Sequence, residues 1–519
     1  MVFSVWSDES WLYLFCARCH GRDDTPSWEP PGWRKACPQP FCPTYRKFAR
    51  IVCLFLLGLL LWGIVYSVIG DEAAPGGQLF GLAALSIAAH FGGWFFSLTT
   101  LPALIGMLIT GIVLQNTGLV RIDGNYGIVV SNLRKIALVI ILTRAGLDLD
   151  PNALKRLKVT VPKLGLIPWL VEATVVAALT KYLLGLPWIW GFLLGSVIAA
   201  VSPAVVVPCL FRLREKGYGV AKGIPTLIIA VSGIDDAASV AIYGIVKSIM
   251  FSHDALWYQI LQGPIAIIGG LGFGILWGCL AKYVPEKGDP FMVPLRVLML
   301  LGGGLLAVFG SEAIELGGAG PLAVVAAAFV SCYFWQKQGW EVDDNPVATS
   351  FEIFWMIFEP ILFAVTGTQI KINELDGKTV YLGISCLLAG IVIRFAATVL
   401  VGIGSKLNLK EKVFIALSWT AKATVQAALG PTTLDEVNPK DPEQVAYAET
   451  VLTICVLSIL LTAPTGAIII TLSGPKLLTK TTAPVAPSDG WRARRPSIRD
   501  ISIINEDPDL EETANERKP

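Results

Sequence analysis

The sequence predicts an all-α polytopic membrane protein of fourteen transmembrane helices, built as inverted-topology repeats with two interrupted crossing helices. Three observations carry that expectation. The 519-residue chain is 54% hydrophobic and only 16% charged, with a mean hydropathy of +0.62. Soluble domains carry about 25% charged residues and do not reach this balance. Fourteen stretches hold the roughly 20 mostly apolar residues that a spanning helix needs. Charges and prolines inside those stretches also recur at a nearly constant offset along the chain.

The spans are read at about 49–69, 78–97, 100–119, 130–147, 162–183, 187–210, 225–250, 259–284, 292–310, 314–335, 351–370, 379–403, 411–430 and 446–472. Gly and Pro are frequent in them, as in packed membrane helices. Loop charges orient the bundle. Lys155, Arg156, Lys158 and Lys163 lie between spans 4 and 5, and Arg212, Arg214, Lys216 and Lys222 between spans 6 and 7. Lys282 and Lys287 lie between spans 8 and 9, with Arg296 just beyond, and Lys406, Lys410 and Lys412 lie between spans 12 and 13. The loops between spans 1 and 2 and between spans 9 and 10 carry no Lys or Arg. Excess Lys and Arg marks cytosolic loops, so both termini are expected in the cytosol. The expected organisation is a cytosolic tail over 1–48, a fourteen-span domain over 49–474, and a polar, Pro-rich, then acidic tail over 475–519. The host membrane is expected to be the plasma membrane or that of an organelle. Lipids are expected partners, and nucleic acid is not.

Ten cysteines are present, four of them at positions 16, 19, 37 and 42. Cys16-Ala-Arg-Cys19-His20 matches the haem c attachment pattern and also half a zinc site. The simpler reading is a set of reduced thiols near the membrane, some palmitoylated, and no cofactor is expected. Arg494-Arg495-Pro496-Ser497 suits a basic-directed kinase. No signal peptide is expected at the start, where Asp8 and Glu9 stand in place of a basic region.

A charged residue in mid-membrane costs roughly 2.5–3.5 kcal/mol even on lenient scales, and such residues face a cavity or a partner. Five stand well inside spans: Glu172 in span 5, Asp235 and Asp236 in span 7, Arg394 in span 12 and Lys422 in span 13. If they share one cavity, three negative charges meet two positive ones. A bound cation or proton would neutralise the remainder. Glu172 and Arg394 are read as an ion pair. Asp235 and Asp236 are different, because adjacent helical residues diverge by about 100° and one counter-ion cannot easily serve both. Nearby carboxylates also raise each other's proton affinity, so this pair can trade a proton for a metal ion. His90 in span 2 is read as packed, and Glu359 before Pro360 as a candidate funnel residue.

The helices beside the pair are expected to break. Pro203 cannot donate to the carbonyl four residues back and disfavours helix at Ser202. Carbonyls freed near Ala200 and Val201 are candidate cation ligands. Span 13 reads Ser418-Trp419-Thr420-Ala421-Lys422-Ala423-Thr424-Val425-Gln426, which is unusually polar, and Lys422 would place positive charge in a second break. Glu172 and Arg394 are 222 residues apart, Pro203 and Lys422 219 apart. Spans 5–7 thus correspond to spans 12–14. An offset of seven spans makes the triplets cross in opposite senses, as in alternating-access transporters.

Four stretches together resemble one known group: AAVSPAVVVP at 199–208, IDD at 234–236, ILTRAGLDLDP at 141–151 and WTAKATVQAALGP at 419–431. The chain resembles the NHA subgroup of cation/proton antiporters, in an animal form such as an insect one. The resemblance implies a bacterial sodium/proton antiporter-like fold, exchange of sodium or lithium for protons, and a homodimer. It also implies an elevator-like motion of a core, spans about 162–250 and 379–472, against a dimerisation scaffold. By the same resemblance Asp236 is the main ion- and proton-binding carboxylate and Asp235 its partner, with carbonyls near Val201 and Ser232 as further ligands. Glu172 and Arg394 match an ion pair, Lys422 the charge compensating the breaks, and Ser202 and Pro203 a helix break. Arg394 stands where bacterial relatives carry lysine. An arginine stays protonated, which puts an electrogenic cycle in doubt. Gly233-Ile234 precede the pair where vertebrate members are expected to carry an aromatic.

Rival readings are a proton/chloride cotransporter, in which Arg394 or Lys422 attracts an anion, and a sodium-coupled solute symporter of the same fold. An intramembrane aspartyl protease needs its two aspartates on facing helices, which adjacent Asp235 and Asp236 do not supply. A transporter, not an enzyme, is expected.

Overall fold

The computed structural model describes residues 28–31, 33, 45–98, 101–120, 126–149, 151–156, 159–220, 222–251, 256–286, 288–340, 345–403, 405 and 407–480. The cysteines at 16–42 and the serine motif at 494–497 lie outside them. The described chain is helical. In order come α1 (Tyr45–Ile69), α2 (Gln78–Ser97), α3 (Ala103–Asn116), α4 (Tyr126–Asp148), α5 (Pro151–Arg156) and α6 (Thr160–Leu184). Then follow α7 (Trp188–Ile198), α8 (Pro203–Glu215), α9 (Ile224–Phe251), α10 (Leu256–Leu280), α11 (Met292–Ala313) and α12 (Ala319–Lys337). The last are α13 (Pro346–Thr368), α14 (Gly377–Val401), α15 (Leu409–Ser418), α16 (Thr424–Leu429), α17 (Thr432–Glu436) and α18 (Pro442–Leu477).

Among the described residues, twelve helical segments are long and apolar enough to cross a membrane, the interrupted α7–α8 counting as one. The sequence expected fourteen. The other two expected spans fall on α3, with 14 residues, and on the interrupted series α15–α17. An α-helix rises about 1.5 Å per residue, so α3 is short for a hydrocarbon layer of about 30 Å, while the series α15–α17 is divided into helices of 10, 6 and 5 residues. Hydropathy alone does not see these lengths. Large apolar side chains such as Leu170, Phe192, Ile268, Leu276, Val392 and Leu472 point outward from helices whose other faces are buried. That is the arrangement a lipid solvent rewards, because no polar backbone is left on the outer surface.

Local sequence sets the helix ends. Asn345, Asp376 and Asp441 cap α13, α14 and α18 with their side chains, satisfying amides that a first turn leaves orphaned. The amides of Thr379 and Lys378 hold the Asp376 carboxyl below the usual carboxylate range. Asn408 and Glu411 form a capping box at α15, and Glu411 also pairs with Lys222 at 3.3 Å. His90 sits exposed on α2 beside Phe91, not packed inside as expected. Glu359 lies half-buried in α13.

Both expected breaks are present. Ser202 is extended (φ −82°, ψ 110°) and Pro203 opens α8, as the missing amide of proline requires. The second break, 419–423, contains neither Pro nor Gly. It is held open by partners from elsewhere. The Ala421 carbonyl accepts the Ser202 amide at 2.9 Å. Thr462 Oγ1 of α18 accepts the Lys422 amide at 3.1 Å and donates to the Lys422 carbonyl at 3.3 Å. The two interruptions therefore cross in contact, each completing the backbone hydrogen bonding of the other.

Close helix approach makes this crossing possible. A Cβ on Gly195 of α7 would lie 2.3 Å from the Ala173 carbonyl oxygen of α6, and one on Gly466 of α18 would lie 2.7 Å from the Ala421 Cβ. Gly195→Ala is therefore expected to lower the thermal midpoint, by overpacking of about 1–3 kcal/mol, since the obstructing atom is backbone and cannot rotate away. A thermal unfolding curve in detergent checks this; an unchanged midpoint would contradict the packing described.

Candidate ion-binding site

Five ionisable side chains meet at the crossing, and all five are at most 3% exposed. Glu172 comes from α6, Asp235 and Asp236 from α9, Arg394 from α14, and Lys422 from the break between α15 and α16. Arg394 is the hub. Its Nη1 donates to Glu172 Oε2 at 2.8 Å and to the Ala199 carbonyl, and its Nη2 donates to Asp235 Oδ2 at 3.1 Å. Its guanidinium lies 5.9 Å from the Trp419 ring centroid. Lys422 Nζ stands 2.8 Å from Glu172 Oε1. The Val201 amide donates to Asp235 Oδ2 at 2.9 Å.

The pair read from sequence is thus a chain of four: Lys422, Glu172, Arg394, Asp235. Two positive and two negative charges cancel along it. Asp236 is outside this chain. Among the described residues it has no ion pair, and its Oδ1 is buried without a hydrogen-bond partner. The divergence of neighbouring helical positions explains the difference: α9 turns Asp235 toward Arg394 and leaves Asp236 facing elsewhere. Asp235 Oδ1 is also buried and unpartnered, so two carboxylate oxygens with no donor are available to a hard cation or a proton.

The other predicted residues fall nearby, in altered roles. Carbonyls beside the break have donors from other helices: Ala199 accepts from Arg394, and Ala200 and Val197 accept from Gln426. The Val201 amide donates to Asp235 Oδ2. The Ser232 hydroxyl donates to Ile229 within α9 at 2.9 Å. Ser202 Oγ meets Thr424 Oγ1 at 3.2 Å across the crossing. Sequence reasoning assigned no role to Thr424, Gln426 or Thr462. Their signal was present in the polar run 418–426 and in a threonine before Pro464, but only the fold gives each a partner. Trp169 Nε1 also donates to Ser239 at 2.6 Å, tying α6 to α9.

A second ionic cluster lies two to three turns beyond the pair on α9. Lys247 contacts Glu436 of α17 at 2.6 Å and Glu312 of α11 at 3.3 Å, and Glu312 contacts Lys135 of α4 at 2.6 Å. Arg134 pairs with Asp435, and Tyr243 with Thr432. Lys247, Glu312 and Glu436 sit near helix ends, whereas Arg134 and Lys135 lie inside α4; sequence analysis singled out none of them. Among the described residues, no group of three or more His, Cys, Asp or Glu gathers as a metal cage.

This geometry agrees with what comparison finds. The family model for the transmembrane sodium/hydrogen exchanger matches residues 86–472. Sodium/hydrogen exchanger 9B2 of Homo sapiens is 39% identical over 450 residues, covering 85% of this chain and 82% of that one. Sodium/hydrogen exchanger 9B1 of Homo sapiens is 36% identical over 449 residues, covering 85% and 86%. The solved structure of the sodium proton antiporter MjNhaP1 from Methanocaldococcus jannaschii at pH 8 superposes with a TM-score of 0.63 at 19% identity, covering 77% of this chain and 98% of that one; it shares the fold. The chain belongs to the sodium/hydrogen exchanger family and is an integral, multi-pass cation/proton antiporter.

Proposed function

We propose that the protein exchanges sodium or lithium for protons by alternating access, with Asp236 as the carboxylate that is loaded by either ion and Asp235 as its partner. One observation carries this reading: Asp236 is the member of the five-charge cluster left without a counter-ion. With all five ionised, the cluster holds one uncompensated negative charge. One proton or one monovalent cation on Asp236 neutralises it, and the two loads compete because they answer the same charge. Crossing the membrane with that charge unanswered is costly, so only the loaded form moves readily. The moving unit in this proposal comprises residues of about 162–250 and 379–472, which contribute all five charges, and it works within a homodimer.

The cluster favours cation/proton exchange over chloride cotransport. Arg394 and Lys422 are both paired with carboxylates, so neither holds an uncompensated positive charge for an anion. The loaded forms also carry equal charge whether the load is a proton or a monovalent cation. Proteoliposomes are therefore expected to show sodium- and lithium-driven proton flux that is indifferent to chloride. The flux should change little when a potassium diffusion potential is imposed. Flux that follows the imposed voltage would overturn the one-for-one scheme, and flux that requires chloride would overturn the cation assignment.

A further inference from the structure

Gln426 lies at the centre of the crossing and is fully buried. It belongs to α16, in the second half of the chain, yet its side chain serves the first. Nε2 donates to the Val197 carbonyl at 2.7 Å and to the Ala200 carbonyl at 3.1 Å. Both are acceptors that the break leaves without a full helical ladder. The Val201 amide, which continued helix would aim at Val197, is turned to Asp235 instead, and the next helix opens on Pro203, which has no amide to give.

The Ala200 carbonyl and the Val201 amide belong to one rigid, planar peptide group. Its oxygen is held by Gln426 and its N–H holds Asp235 Oδ2. Gln426 thus fixes the tilt of the plane that orients Asp235, from outside the helix carrying either group. An amide side chain suits this task. It donates two hydrogens from one nitrogen at an angle that spans two carbonyls, and it adds no charge beside the four-member chain. A carboxylate there would face two carbonyl oxygens with nothing to donate.

We propose that Gln426 is a positioning residue for cation binding, acting through the Ala200–Val201 peptide on Asp235. The proposal rests on the assignment of the site to Asp235 and Asp236. Its effect belongs to affinity, because the peptide holds the ground-state geometry of a carboxylate beside the bound ion.

The test is sodium-driven proton flux in proteoliposomes of the full chain, with Gln426→Leu, Gln426→Glu and Asp236→Asn measured beside wild type. Gln426→Leu is expected to raise KM for sodium about fivefold or more, as loss of a buried hydrogen-bonding group does, with maximal rate held within about twofold. Gln426→Glu supplies a second readout. Its carboxylate cannot donate, but its protonated form can, so the ratio of its KM to that of wild type should shrink as pH falls. A purely structural role would leave that ratio flat. The assignment is overturned by a KM for Gln426→Leu within twofold of wild type, or by a fall in rate with KM unmoved. If Gln426→Leu does not fold, as judged by gel filtration and thermal unfolding, the pH trend of Gln426→Glu decides alone, and a flat trend overturns the assignment. If Asp236→Asn keeps its exchange, the site itself is misplaced. If that variant is dead while Gln426→Leu is unaltered, only the role of Gln426 fails.

Discussion

Asp236→Asn should abolish sodium- and lithium-driven proton flux, a loss of about a hundredfold or more, while leaving the fold intact or slightly more stable. Both halves of that expectation follow from the same isolation. The carboxylate is buried and, among the described residues, has no ion partner and keeps one oxygen without any donor. Asparagine retains its shape but neither binds a proton reversibly nor supplies a charge to a cation. Removing an uncompensated buried charge also removes its desolvation cost. Flux in proteoliposomes measures the first half, and a thermal midpoint measures the second. Flux at wild-type rate would refute the assignment of Asp236. A midpoint lowered by many degrees would show that the carboxylate has a structural partner. Asp235→Asn is a different case, since it leaves Arg394 and the Val201 amide facing an amide group instead of a carboxylate.

Arg394→Met should be the most damaging single charge removal for stability. It strips a counter-ion from Asp235 and from Glu172 together, and orphaning a buried charge costs about 3–5 kcal/mol. Arg394→Lys should fall between, because an ammonium is one point charge and cannot reproduce a fork reaching Glu172, Asp235 and the Ala199 carbonyl from two nitrogens. The double exchange of Glu172→Arg with Arg394→Glu discriminates best. A simple two-member pair predicts that the swap rescues the fold. The four-member chain predicts the reverse: an arginine at 172 meets Lys422 and a glutamate at 394 meets Asp235. Thermal unfolding of all three variants decides between these, and a swap as stable as wild type would dismiss the chain.

The division between what sequence reveals and what it hides follows physical lines. Membrane burial makes a charge expensive, so Glu172, Asp235, Asp236, Arg394 and Lys422 stand out against apolar neighbours without any structure. Proline removes an amide, so the break before Pro203 is visible too. Other things were less legible. The second break was expected around Lys422, but what holds 419–423 open comes from Ser202 and Thr462, distant in sequence, and a polar run alone does not name those partners. The partners of Arg394 were read as one because pairwise reasoning from a count of charges has no access to direction. Hydropathy does not report length where geometry departs from the average helix: α3 is short and α15–α17 are divided. The ionic cluster around Lys247 and Glu312 escaped for the opposite reason, since charges near helix ends cost little and carry little information.

The link between the two interrupted helices runs from the Ser202 amide to the Ala421 carbonyl. Both atoms are main chain, so replacing the side chain at either position by anything but proline at 202 leaves the bond's chemistry in place. A library of such variants would score this contact as silent however much it contributes, and a sequence comparison would register only the exclusion of proline on its account. What tests it is a change of backbone, such as an ester in place of the amide at Ser202, which keeps the side chain and deletes the hydrogen. The join between the two halves is in that sense written in a part of the polymer that the genetic code does not vary.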